Sequence, residues 1–195
     1  VGGGRLRSLR MLIDAYLVTS QLQRLRELEV RLRQDAPAAL NRFVLPLGIP
    51  YLLREEPVEA EKYFGRFLQQ RGVAHRPWVR WNYAFALLQQ RQVSAAKTTL
   101  LQLLEARADP VLRLLTAYLL ASLADADPQV AEAVARERSR LRRRYSPQRW
   151  RRLTAGKHIQ MILLTPTIHS ARDWLLNDAA PAPAAGEESG EKTVH

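Results

Sequence analysis

LGIPYLLREEPVEAEKYFGRF, residues 47–67, and YAFALLQQRQVSAAKTTLLQL, residues 83–103, carry one pattern twice. In the first, Leu47, Gly48, Tyr51, Ala60, Phe64 and Phe67 follow one another at steps of 1, 3, 9, 4 and 3 residues. In the second, Tyr83, Ala84, Leu87, Ala96, Leu100 and Leu103 keep those steps at an offset of 36. Steps of three and four line up residues on one helix face, and the step of nine spans a fresh helix start at Pro57 or Val93-Ser94. Each stretch therefore reads as two helices folded back on one another. Small residues, Gly48 or Ala84 and then Ala60 or Ala96, mark where the two backbones cross closely, while the large ones fill the gap to the next hairpin.

Outward from this pair, prolines 57, 77, 110, 128, 147 and 166 count further helices at intervals of 20, 33, 18, 19 and 19 residues. Proline is tolerated at the first helical position, where its missing N–H has no partner to lose. Asp109, Asp127, Ser146 and Thr165 each stand directly before one of these prolines as an N-cap. The doubled gap from 77 to 110 conceals the start at Val93-Ser94.

The repeated spacing resembles the tetratricopeptide repeat: a large residue, Gly or Ala, a large residue three later, then Ala, an aromatic and an apolar residue on the second helix. The likeness covers residues 45 to 107. Setting Pro110 against Pro77 places Ala117 and Leu120 at the small and large positions of a third first helix, whose second helix, from Pro128, keeps only Ala131, Ala133 and Leu141 in loose register. The prolines in the first repeat and the offset of 36, against the family's usual period of about 34, depart from the pattern.

The fold class expected is all-α: an array of antiparallel helical hairpins, a tetratricopeptide-like solenoid. Residues 1–36 read as an N-terminal amphipathic helix, because Leu6, Leu9, Ile13, Tyr16, Leu22, Leu25, Leu28 and Leu32 form one apolar stripe that slips near Ser20. The stripe is expected to dock on the following hairpins. Residues 37–178 form the repeat domain, with the helix between Pro37 and Leu53 short or kinked by Pro46 and Pro50. Ile159–Leu164 could pass for a buried strand but continues the helical pattern of Trp150 and Leu153. Residues 179–195 are an Ala/Pro/Gly/Glu tail with little to bury, expected to be disordered.

Composition bounds the rest. There is no cysteine, so disulfides and thiolate metal sites are excluded. No run of eighteen apolar residues spans a bilayer. The chain opens Val1-Gly2-Gly3-Gly4 without an initiator methionine and is expected to be a piece of a longer protein. Arg5, Arg7 and Arg10 would place it on the cytoplasmic side if a membrane segment preceded them. The net charge of +11 comes almost wholly from arginine.

The resemblance implies a binding module, with the exposed faces of successive first helices as its groove. For the second repeat these positions are Trp78, Trp81, Phe85 and Gln89; one repeat on they are Val111, Leu114, Tyr118 and Ser122. The competing reading is that neighbouring helices cover these rings. A second surface is the densest charge in the chain, Arg136, Arg138, Arg140, Arg142, Arg143, Arg144, Arg149, Arg151 and Arg152, opposed within its span by Glu137 alone. Three readings of it compete: a solvated helix face, a dock for an acidic protein or anionic lipid headgroups, and a nucleic-acid surface. Nucleic acid ranks last, because only Tyr145 and Trp150 interleave with the arginines.

No catalytic constellation is legible. His75, His158, His169 and His195 are scattered, Gly156-Lys157 lacks the rest of a phosphate loop, and Glu55-Glu56 and Glu59-Glu61 sit where a helix start favours acidic residues. The expectation is a scaffold or adaptor that is not an enzyme and uses no cofactor or metal. Its expected partner is another protein in a bacterial assembly, with a membrane-tethered secretion or exopolysaccharide-export complex as the setting and a nucleic-acid-binding repeat as the alternative.

Overall fold

The computed structural model describes residues 3–70, 76–106, 109–124, 127–154 and 165–177. Among these the chain is all-helical, without a strand. The helices are α1 (Gly3–Val18), α2 (Leu22–Asp35), α3 (Pro37–Leu40), α4 (Val44–Leu53), α5 (Pro57–Leu68), α6 (Arg76–Gln89), α7 (Val93–Glu105), α8 (Pro110–Ala121), α9 (Pro128–Arg144), α10 (Pro147–Thr154) and α11 (Thr165–Leu176). The proline starts hold at Pro57, Pro110, Pro128 and Pro147, and the concealed start falls at Val93. Val111 and Leu112 each donate an N–H to the Asp109 carboxylate at 3.0 Å. Gln129 and Val130 do the same to Asp127 at 3.2 and 3.3 Å, and Arg149 to Ser146 Oγ at 3.3 Å. Between Pro37 and Leu53 two short helices form, the second with Pro50 inside it. Ile159–Leu164, the tail 179–195, and His75, His158 and His195 lie outside the described residues.

The single helix expected over the first 36 residues is instead two. Ser20 turns left-handed (φ 54°), Gln21 donates its N–H to Tyr16 O at 2.8 Å and Ser20 to Leu17 O at 3.2 Å. That pair of bonds closes a helix in a Schellman turn. The same turn recurs at Glu55 (φ 57°; Glu56 to Tyr51 O, 3.1 Å) and at Arg91 (φ 60°; Gln92 to Leu87 O, 2.9 Å). Ser20, Glu55 and Arg91 stand 35 and 36 residues apart, so the backbone keeps the period of the sequence repeat and extends it one hairpin upstream. Sequence could not show this, since the positions equivalent to the small Gly48 and Ala60 hold Ile13 and Leu25.

Two compact units divide the chain, with the boundary inside α7 after Thr99. In the first, α1 and α2 pack on one another and both pack on α4; α4 pairs with α5, and both pack on α6. Ile13, Leu17 and Leu25 share one core with Leu47, Tyr51, Ala60, Tyr63, Phe64 and Phe67, so position 36 is no domain boundary. Gly48 fits its role at the crossing of α4 and α5: a Cβ there would lie 2.6 Å from Phe64 Cε1 and 2.7 Å from Tyr63 Cε1. Tyr63 donates its hydroxyl to Val44 O at 3.0 Å, and its ring meets Tyr51, Phe64 and Phe67 at 5.2, 5.2 and 5.1 Å. Of the second copy of the motif, Ala84, Leu87, Ala96, Leu100 and Leu103 are buried and Tyr83 half-buried.

In the second unit α8 is central, and α9, α10 and α11 all pack on it. Ala117 and Leu120 are buried as their register required, but the buried stripe of α9 is Val130, Val134, Glu137 and Leu141; Ala131 is exposed and Ala133 half-buried. Glu137 is inside because it holds Arg113 by both oxygens, at 2.7 and 2.6 Å.

Candidate docking surfaces

The expected groove is closed at most of its positions. Trp81 is 2% exposed, Leu114 fully buried, and Tyr118 and Ser122 each 8% exposed; Trp78 and Phe85 are half-buried, and only Gln89 is exposed. On α6 the rings pack on each other: Trp81 stacks on Phe85 (5.6 Å between centroids, 6° between planes) and meets Trp78 edge-on at 6.4 Å. Three- and four-residue spacing makes neighbours of these rings, so the aromatic run hides much of its own surface. On α8 the cover comes from α11, whose Trp174 meets the Tyr118 ring edge-on at 5.8 Å, while Ser122 Oγ donates to Leu119 O at 2.6 Å. The competing reading, that neighbouring helices cover these residues, describes α8.

The nine arginines divide into two groups. Arg138 donates to the carbonyls of Trp174 and Asn177 and lies 4.7 Å over the Trp174 ring; Arg142 donates to Leu175 O. Both thereby satisfy the last carbonyls of α11, the negative end of that helix. Arg136 pairs with Glu132 (2.8 Å) and Arg140 reaches Glu137 at 3.9 Å. Arg143, Arg144, Arg149, Arg151 and Arg152 are exposed, and none makes an ion pair among the described residues. Arg144 and Arg149 lie 5.7 and 5.3 Å from the centroid of the Tyr145 ring, which rests edge-on against buried Trp150 at 5.2 Å. The end of α9 and the helix α10 thus present five exposed guanidinium groups with no ion pair among the described residues, two of them, Arg144 and Arg149, beside the Tyr145 ring.

A further site lies in the first unit and was not anticipated. A cleft of about 630 Å³ opens between α2 and α5 over Tyr51. Its wall contains the fully buried Glu29, which accepts three bonds from Arg33, one from Nε at 3.1 Å and two from Nη2 at 2.6 and 2.8 Å. That bonding holds the Arg33 guanidinium charged, raising its pKa above the ordinary value. Arg26 bonds Glu56 at 3.2 Å and lies 5.0 Å over the Tyr51 ring. Burial raises the Tyr51 hydroxyl above its usual pKa and pushes Tyr63 well above, so both rings stay neutral. The residues of this site looked like an ordinary amphipathic stripe with solvated charges; the signal was Glu29 at a core position of α2.

Among the described residues no group of three or more histidines or carboxylates stands together to hold a metal ion, His169 is exposed, and no helix is long and apolar enough to cross a membrane.

The family described as "Uncharacterised Treponema protein" matches residues 24–177. An uncharacterised protein of Treponema pallidum (strain Nichols) is 24% identical over 184 residues, which is 87% of this chain and 58% of that protein. The chain therefore spans less than two thirds of that relative's length. No solved structure matches it.

Proposed function

The chain belongs to the family described as an uncharacterised Treponema protein, and from its own surface we propose a non-enzymatic scaffold: a tetratricopeptide-like array of helical hairpins that docks an acidic segment of another protein. The array is supported by the 36-residue repeat and by the matching period of the turns at Ser20, Glu55 and Arg91. The observation that carries the docking role is the set of five exposed arginines on α9 and α10 that no carboxylate among the described residues neutralises. Arg143, Arg144, Arg149, Arg151 and Arg152 replace Trp81, Leu114 and Tyr118 as the contact residues, and Arg138 and Arg142 drop out because α11 uses them. A rigid helical platform with unpaired guanidinium groups recognises carboxylates bidentately and steers an acidic partner from a distance. Membership of a larger, membrane-associated bacterial complex is part of the same proposal.

The Tyr145 ring between Arg144 and Arg149 favours one second reading, a base-stacking platform for single-stranded nucleic acid. The test is fluorescence anisotropy on the full chain with a labelled glutamate-rich peptide and a labelled oligonucleotide of equal length, at two salt concentrations. The scaffold reading expects the peptide to bind, and joint replacement of Arg143, Arg144, Arg151 and Arg152 by Ala to weaken it by roughly four- to several-hundredfold, as about 0.2–1 kcal/mol for each of four exposed pairs implies. Tighter binding of the oligonucleotide, with the steeper salt dependence of phosphate contacts, overturns it in favour of the second reading.

A further inference from the structure

We infer that the cleft between α2 and α5 binds a compact oxyanion that also carries hydrogen-bond donors, the class of a polyol or sugar phosphate. At about 630 Å³ it has the volume of a small-molecule site rather than of a peptide groove. Five cationic side chains line it, and three are committed: Arg26 to Glu56, Arg33 to Glu29, and Lys62 to Glu59 at 2.9 Å. Arg31 and Arg66 are not. Both line the cleft, both are exposed, and neither makes an ion pair among the described residues.

One of these arginines stands on each wall, Arg31 on α2 and Arg66 on α5, so two guanidinium forks face one space from opposite sides. A tetrahedral or planar oxyanion has lone pairs for both, and charge-assisted bonds from a fork are the strong ones. The committed arginines sharpen the site. Arg33, clamped by buried Glu29, and Arg26, clamped between Glu56 and the Tyr51 ring, are neutralised by their carboxylates and fix the walls, which leaves Arg31 and Arg66 to supply the positive charge a ligand meets.

The carboxylates set the rest of the ligand. Among the described residues Glu27 accepts a 3.3 Å bond from Gln23 and Glu59 the bond from Lys62, so each has lone pairs to spare on the lining. An anion without donors meets repulsion there, whereas one bearing hydroxyl groups satisfies them.

The test is isothermal titration of the full chain at constant ionic strength with inorganic phosphate and with glycerol 3-phosphate, and circular dichroism to confirm that each variant keeps its helices. Both probes are expected to bind saturably at one site, glycerol 3-phosphate more tightly. Arg31→Ala with Arg66→Ala is expected to weaken both at least tenfold. Glu27→Gln with Glu59→Gln is expected to leave phosphate bound at least as tightly and to reduce the preference for glycerol 3-phosphate, because a neutral amide oxygen accepts a hydroxyl more weakly than a carboxylate. No saturable heat, unchanged affinity in the double arginine variant, an undiminished preference in the glutamine pair, or loss of binding on changing Arg143, Arg144, Arg151 and Arg152 instead overturns the inference. Acidic-peptide binding by α9 and α10 is expected to be untouched by Arg31→Ala and Arg66→Ala, so the two sites fail separately.

Discussion

Replacing Gly48 by Ala tests the helix crossing on which the repeat register depends. In an open helix the change stabilises, because Ala loses less backbone entropy than Gly by about 0.5–1 kcal/mol. Here the added Cβ would stand 2.6 Å from Phe64 Cε1 and 2.7 Å from Tyr63 Cε1, about an ångström inside the roughly 3.5–4 Å at which carbons rest. Neither ring can yield: both are buried, Tyr63 is tied to Val44 O, and its ring is in contact with Tyr51, Phe64 and Phe67. The remaining response is for α4 to back away from α5, and forcing an extra methyl into a packed core costs about 1–3 kcal/mol. After the propensity gain, a net loss of up to about 2.5 kcal/mol is left, a fall in midpoint of roughly 2–4 °C for each kcal/mol in a chain of this size. Thermal and urea unfolding followed by circular dichroism measure it. Ala84→Gly, at the equivalent place one repeat on, is also expected to destabilise, by about 0.5–1 kcal/mol of helix propensity. A Gly48→Ala midpoint at or above that of the parent refutes the close crossing.

Arg91 holds a left-handed conformation that suits glycine, so Arg91→Gly is expected to raise the unfolding free energy by about 0.5–1 kcal/mol, and an unchanged or lowered value refutes the turn assignment. Glu137→Ala strands the Arg113 guanidinium, only 11% exposed, beside α9, and a loss of about 3–5 kcal/mol in urea unfolding is expected; Arg113→Met combined with Glu137→Leu should recover most of it, and a double variant no better than the single one counts against the pair. Burial raises the Tyr63 pKa, so above about pH 10 the unfolded chain gives up a proton that the folded chain keeps. Stability should therefore fall as pH rises past that point, and less steeply in Tyr63→Phe; equal slopes in the two proteins contradict the buried hydroxyl.

Helix starts were legible because they rest on local chemistry. An Asp or Ser before a proline both caps the new helix and fixes its first dihedral, whatever lies around it, and Asp109, Asp127 and Ser146 do so. Helix ends were less so. Ser20, Glu55 and Arg91 close Schellman turns without the glycine that usually marks them, and the first of these split a stripe that reads as one helix. Burial was the weakest inference, because it depends on which element arrives from elsewhere. Trp81 and Tyr118 occupy positions that an array of hairpins can leave open, and only the packing decides that they are closed. The α2–α5 cleft escaped for the opposite reason: its walls come from segments some thirty residues apart, and each alone looks like a solvated face.

The arginine stretch shows what periodicity can and cannot separate. Val130, Val134, Glu137 and Leu141 follow at steps of four, three and four, which defines the buried stripe of α9. Arg138 and Arg142 each stand one position beyond a buried residue, at the flank of that stripe, and so reach the end of α11. Arg136 and Arg143 lie farther round and face solvent, Arg140 is exposed on the opposite flank, and Arg144, though near the register of the stripe, is exposed at the last residue of the helix. A guanidinium already bonded to the carbonyls of α11 must break those bonds before it can receive a ligand, and a partner gains little from it. On the proposed docking role, binding strength at this surface is therefore set by the arginines that folding leaves unused, not by the nine that sequence density counts, and a variant that includes Arg138 or Arg142 reports stability and recognition together. Separating the two groups is what makes a binding measurement on α9 and α10 interpretable, since only the solvent-facing set can be removed while α11 keeps its cap.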